Sequence, residues 1–209
     1  MSVVIGLKYK DVVWLACDKQ ITTGRDKTYL SNHHKIVQVP ERPGVLIGSV
    51  GLLRGINLIE TNNSYIDELS YLREEINYDY MVNTFPLLIN DLFKIHGMID
   101  VDIKTLDIKN EFLVAVFDSL YVVGFDGSVQ EIEDFAALGS GDRLAIGSLS
   151  SLYDSSKEYT EEEIMDILYK SIIAANTDVN CGGGVIIMNT SSDTIYDFKK
   201  DENKEIKNL

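Results

Sequence analysis

The chain has 209 residues, 45% of them hydrophobic, and only 3 prolines, so it reads as one folded domain with a substantial core rather than a disordered segment. A formal net charge of −14 opposes phosphate backbones and anionic lipid, which excludes nucleic acid and membranes as expected partners. No apolar run approaches the roughly 20 residues of a membrane span, and the N-terminus lacks the basic-then-apolar layout of a secretory signal, so a cytoplasmic location is expected.

Val3 to Leu7 and Val12 to Cys17 are strand-length apolar runs separated by a polar turn, and they predict a hairpin at the start of the chain that ends at Asp18. A chain whose first residues lie in a sheet has a fixed α-amine, and a fixed amine beside a hydroxyl can act on it as a base. Ser2 is one cleavage away from being such a residue. Lys35 to Val39 and Val45 to Val50 form a second strand pair around a Pro- and Gly-containing turn. Two amphipathic helices follow, Leu52 to Glu75 and Tyr78 to Ile95, from apolar residues at spacings of three and four. Asn62-Asn63-Ser64 marks a break in the first and Pro86 an irregularity in the second. Met98 to Lys109 is polar and gives no pattern.

Strands return at Glu111 to Phe117, Ser119 to Phe125 and Ser128 to Ile132, the last two joined by Asp126-Gly127, a dipeptide suited to a tight hairpin. Gly139-Ser140-Gly141-Asp142 leads into a helix through Leu152. Thr160 with Glu163 three residues on is a capping box opening a helix to about Asn176. The strands Val185 to Met188, after three glycines, and Thr194 to Phe198 complete a single domain over residues 1–198, and 199–209 form a charged tail. Strands, two helices, strands, two helices, strands is the order expected of an α+β, four-layer αββα sandwich, two stacked mainly antiparallel sheets between helix layers. Cys17 and Cys181 lie far apart without CxxC spacing and read as two reduced thiols. His33 and His34 are adjacent, point apart on a strand and have no third ligand, so no metal is expected.

Several segments carry a resemblance: Val3 to Asp11, Val12 to Thr22, His34 to Val39, Ile47 to Gly51, Leu138 to Asp142, and Asp178 to Gly184. In this order and spacing the chain resembles the N-terminal nucleophile hydrolases, and within them the proteasome β-subunits and bacterial proteasome-like peptidases. The resemblance implies a catalytic set. Ser2 stands at the nucleophile position where the family has threonine, with Met1 ahead of it; Asp18 matches the acid after the second strand and Lys35 the lysine. Gly48 matches the oxyanion glycine, Ser140 and Asp178 match residues around the terminal amine, and Cys181, followed by Gly182, stands where the family usually has serine. A thiol is a poor donor, which weakens that contact.

The implied chemistry is coherent. An α-amine with an ordinary pKa of about 7.7 to 8 is a suitable base near neutral pH. Lys35, aimed by Asp18, lowers the pKa of the neighbouring amine or hydroxyl, and the Gly48 N–H stabilises the oxyanion. The resemblance also implies a polypeptide substrate, a homo-oligomeric ring, an ATP-dependent unfoldase as a possible partner, and no cofactor. Activity requires Met1 to be removed, as is common before a residue as small as serine. An inactive ring-forming homologue and a small-molecule amidase are the alternatives. Asp18 and Lys35 also fit a structural ion pair, and the glycines fit turns and close packing. Lys35→Ala is expected to abolish labelling of Ser2 while leaving the fold largely intact, and Asp18→Asn to behave similarly.

Overall fold

The computed structural model describes residues 2–23, 26–30, 34–39, 44–62, 76–100 and 106–199. The N-terminal hairpin is present as β1 (Val3–Tyr9) and β2 (Val12–Asp18), turned at Lys10 in the left-handed region with φ 55°. These strands are buried on both faces. Val3, Ile5 and Leu7 point to one core while Val4 points to another, and β2 divides in the same way, with Trp14 and Ala16 against Val13, Leu15 and Cys17. That is the period-two alternation of a strand enclosed on both sides.

Two five-stranded antiparallel sheets result. The first runs β10 (Phe135–Gly139), β1, β2, β11 (Val185–Asn189), β12 (Ser192–Phe198), so the chain start is central rather than at an edge. The second runs β5 (Ile36–Gln38), β6 (Val45–Gly51), β7 (Asn110–Val116), β8 (Ser119–Val123), β9 (Val129–Ile132). Val4, Leu15, Leu46, Leu113, Leu120 and Ile186 fill the space between the sheets. Helices α1 (Leu53–Thr61), α2 (Tyr78–Asn83) and α3 (Phe85–Ile95) cover the second sheet through Ile56, Met81, Phe85 and Leu92. Helices α4 (Asp142–Leu152) and α5 (Glu161–Ala175) cover the first through Ala145, Leu149, Ile164 and Leu168. The four-layer αββα sandwich is therefore the observed fold.

Three strands depart from the sequence expectation. β3 (Gln20–Thr23) and β4 (Asp26–Tyr29) form a separate two-stranded ribbon, and β10 is an edge strand paired to β1. β4 is exposed throughout, so it carries no alternating apolar signal. The two alanines in Phe135-Ala136-Ala137-Leu138-Gly139 have low strand propensity, and pairing with β1 overrides it. Of the first predicted helix, α1 ends where Asn62 donates its backbone N–H to Leu58 O, and residues 63–75 lie outside the described residues, as does the tail from 200 onward. The second is split at Thr84, and Pro86 falls in the first turn of α3, where its missing N–H breaks no hydrogen bond. The Asp126-Gly127 connection is longer than a two-residue hairpin: Gly124 N–H donates to Ser128 O (2.8 Å) across a loop from 124 to 128.

The predicted capping box is formed. Thr160 Oγ1 accepts from Glu163 N–H (3.2 Å), and Glu163 Oε2 accepts from Thr160 N–H (2.8 Å). Thr160→Ala is expected to lower stability by about 1 kcal/mol in chemical denaturation, because α5 then begins with unsatisfied N–H groups.

Candidate functional site

Asp18, the last residue of β2, is wholly buried, and its carboxylate gathers four donors. Oδ1 accepts from Val3 N–H at 2.9 Å and from Lys35 Nζ at 2.5 Å; Oδ2 accepts from Gln20 N–H at 3.2 Å and Gly182 N–H at 3.0 Å. Lys35 is equally buried and stands immediately before β5. Its carbonyl accepts Ser49 N–H at 2.9 Å, so its backbone belongs to the second sheet while its ammonium reaches the first. Gly48, one residue before Ser49, lies on β6 opposite Ile36. A Cβ there would stand 2.6 Å from Val4 Cγ1, so the two sheets approach too closely for any side chain.

Ser2 is 7% exposed, next to the Val3 that bonds Asp18. Opposite Val3 lies Gly139, at φ 103°, where a Cβ would sit 2.1 Å from Ser2 O. Only glycine permits this approach of β10 to the start of the chain. Ser140 Oγ lies at the long end of hydrogen-bond range from Ser2 O (3.5 Å) and Asp178 Oδ1 (3.4 Å), and 3.8 Å from Cys181 Sγ. Asp178 in turn accepts Asn180 N–H at Oδ1 (2.8 Å) and Cys181 N–H at its carbonyl (3.1 Å), a tight turn after α5. Ser2, Asp18, Lys35, Ser140, Asp178, Cys181 and Gly182 thus converge from five places in the sequence, and Gly48 joins them through Ser49.

Burial pushes the Cys181 thiol up to about 11, with the Asp18 charge adding to the effect, so near neutral pH it is a neutral S–H. Cys17 is pushed up to about 12, again chiefly by burial. The two thiols face different cores and are free. Among the described residues no group of three or more His, Cys, Asp or Glu could hold a metal; His33 lies outside them.

One positioning residue carries no signal in the sequence. Asn110, fully buried at the start of β7, donates from Nδ2 to Ser49 Oγ (3.0 Å) and Leu52 O (3.1 Å), and its Oδ1 accepts Leu52 N–H (3.3 Å). It props the turn that follows Gly48. Its partners lie some 60 positions away, so no local pattern exposes it.

The burial of Asp18 and Lys35 separates two substitutions that the sequence treats alike. Asp18→Asn strands the Lys35 ammonium without an anion, and a loss of about 3–5 kcal/mol in chemical denaturation is expected. Lys35→Met leaves the carboxylate with its three N–H donors, so a smaller loss is expected in the same measurement.

The family model described as "Proteasome: Proteasome subunit" matches residues 108–190, from just before β7 to just after β11. A protein described as proteasome subunit beta 1, from Desulfurococcus amylolyticus, is 30% identical over 187 residues, covering 87% of this chain and 85% of that protein. Among solved structures, Thiobacillus denitrificans BPH in complex with epoxomicin matches at TM-score 0.68 and 20% identity, covering 90% of this chain and 97% of that one. Eukaryotic HslV from Trypanosoma brucei matches at TM-score 0.61 and 21% identity, covering 90% of this chain and 98% of that one. At these identities the solved structures establish the shared N-terminal nucleophile hydrolase fold. The Desulfurococcus amylolyticus β-subunit, 30% identical over most of both chains, makes this chain a member of the proteasome subunit family.

Proposed function

We propose that this chain hydrolyses peptide bonds with Ser2 as nucleophile once Ser2 is the first residue. The observation that carries the reading is the Asp18 carboxylate, whose Oδ1 accepts both Val3 N–H and Lys35 Nζ. A fully buried ion pair is costly where only stability is at stake, since apolar packing does as well. This one stands directly beside Ser2.

In the proposed mechanism the Ser2 hydroxyl attacks the peptide carbonyl and passes its proton to the Ser2 α-amine. The Lys35 ammonium, held by Asp18, makes that hydroxyl easier to deprotonate. Gly48 N–H stabilises the oxyanion, and the protonated amine then donates to the departing nitrogen. An acyl ester on Ser2 remains, and water activated by the same amine releases it. In this reading Ser140 and Asp178 support the amine: Ser140 Oγ reaches the Ser2 carbonyl and Asp178 Oδ1, with Cys181 contributing a thiol contact and Gly182 N–H holding Asp18. No cofactor is required.

The proposed substrate is a polypeptide, and the proposed assembly is a ring of like subunits in the cytoplasm, open to feeding by an ATP-dependent unfoldase. Family membership supports the ring, as do large apolar side chains exposed on both helix layers: Leu52, Leu87 and Ile95 on one, Leu144, Leu152 and Ile173 on the other. Among the described residues no helix is long and apolar enough to cross a membrane.

With Met1 absent by intact mass, a peptide epoxyketone is expected to add one adduct to Ser2, and none to Ser2→Ala or Lys35→Met of verified fold. Cys181, a neutral thiol, is expected to remain unmodified below pH 9. Equal adduct on all three proteins defeats the assignment. Sedimentation is expected to show a closed oligomer at micromolar concentration, and a monomer alone counts against an enclosed peptidase.

A further inference from the structure

Gln20 opens β3 and is only 2% exposed. Its backbone N–H donates to Asp18 Oδ2 (3.2 Å), the oxygen that also receives Gly182 N–H. Its side chain reaches the other way. Nε2 donates to Val179 O (2.9 Å) and to Thr22 Oγ1 (3.1 Å), which uses both amide protons. Oε1 lies 2.9 Å from where a Cβ on Gly182 would stand, so the amide fills the space over that glycine, whose φ of 152° suits no side chain. One residue therefore touches the 178–182 turn at Val179 and Gly182 and also bonds the Asp18 carboxylate.

Val179 is 69% exposed, so packing of its side chain does not hold this part of the turn. The bond from Gln20 to its carbonyl does. We propose that Gln20 is a positioning residue for Ser2, clamping Val179 O so that the turn presents Asp178 and Cys181 to Ser140, and through Ser140 to the Ser2 carbonyl. This rests on the reading of Ser2 as the nucleophile. Lys19, its neighbour, extends the same anchorage outward: its N–H donates to Gly182 O (3.0 Å), and Nζ pairs with Asp197 on β12 (2.8 Å).

The test uses the full chain, Met1 absent by intact mass, with Gln20→Glu, which keeps the shape and loses the donor, and Gln20→Met, which keeps the bulk without polar atoms. Peptide epoxyketone adduct formation is followed over a range of probe concentrations, and amide exchange is measured over residues 178–182. The saturating rate is expected to fall about tenfold in both variants, with the half-saturating concentration unchanged within about twofold and faster exchange in the turn. A saturating rate at the wild-type level overturns the proposal, as does a fall carried by the half-saturating concentration, which would assign Gln20 to probe binding. If circular dichroism shows Gln20→Glu unfolded, Gln20→Met carries the measurement. No adduct on the wild type defeats the nucleophile reading itself, and exchange then decides the clamp: faster exchange supports it and unchanged exchange overturns it.

Discussion

One carboxylate organises the region around the start of the chain. Asp18 is sealed from water, and a charge so placed is tolerable only if its lone pairs are filled. The four donors come from β1, from the first residue of β3, from the turn before β11, and from Lys35 ahead of β5. None of these segments is adjacent to another in sequence beyond Asp18 and Gln20. Satisfying one buried anion therefore fixes where both sheets and the 178–182 turn stand relative to Ser2. The ammonium of Lys35 spans the two sheets, because its backbone is tied to Ser49 in the second while its charge is needed in the first.

The N-terminus benefits from a second constraint. Chain ends usually fray, but β1 is flanked by β10 and β2 and is apolar toward both cores. Ser2 inherits that order. The close approach of Gly139 to the Ser2 carbonyl and of Gly48 to Val4 leaves no room for a side chain at either point. The same tight packing that stabilises the sandwich removes freedom from the residue just outside it, as the role proposed for Ser2 requires.

How much of this could be read in advance depended on whether a feature was local. β1, β2, β6, β7, β8 and β11 are buried and β-branched, so their runs stood out, and the Thr160–Glu163 pair announced α5 because a capping box is contained within four residues. β4 and β10 gave no such signal. One is solvent-exposed, and the other is strand only because β1 offers it a partner. The site divides similarly. Ser2, Asp18, Lys35, Gly48, Ser140, Asp178 and Cys181 are legible only through the resemblance, since spacing alone does not join residues 2 and 178. Gln20 and Asn110 act through side-chain bonds to distant backbone, and nothing local distinguishes a Gln or Asn that does this from one on a surface.

Cys181 contributes little to the geometry of the turn that carries it. A neutral thiol 3.8 Å from Ser140 contributes a weak contact, where a hydroxyl would contribute a stronger one. The turn that carries it does not depend on that contact. Its backbone is held at Val179 O by Gln20, at Asn180 N–H and Cys181 N–H by Asp178, and at Gly182 by Asp18 through N–H and by Lys19 through the carbonyl. With the main chain fixed at four successive residues, the side chain at 181 sets only the polarity beside Ser140. A serine at 181 would leave this main-chain framework in place and change only the hydrogen bond to Ser140.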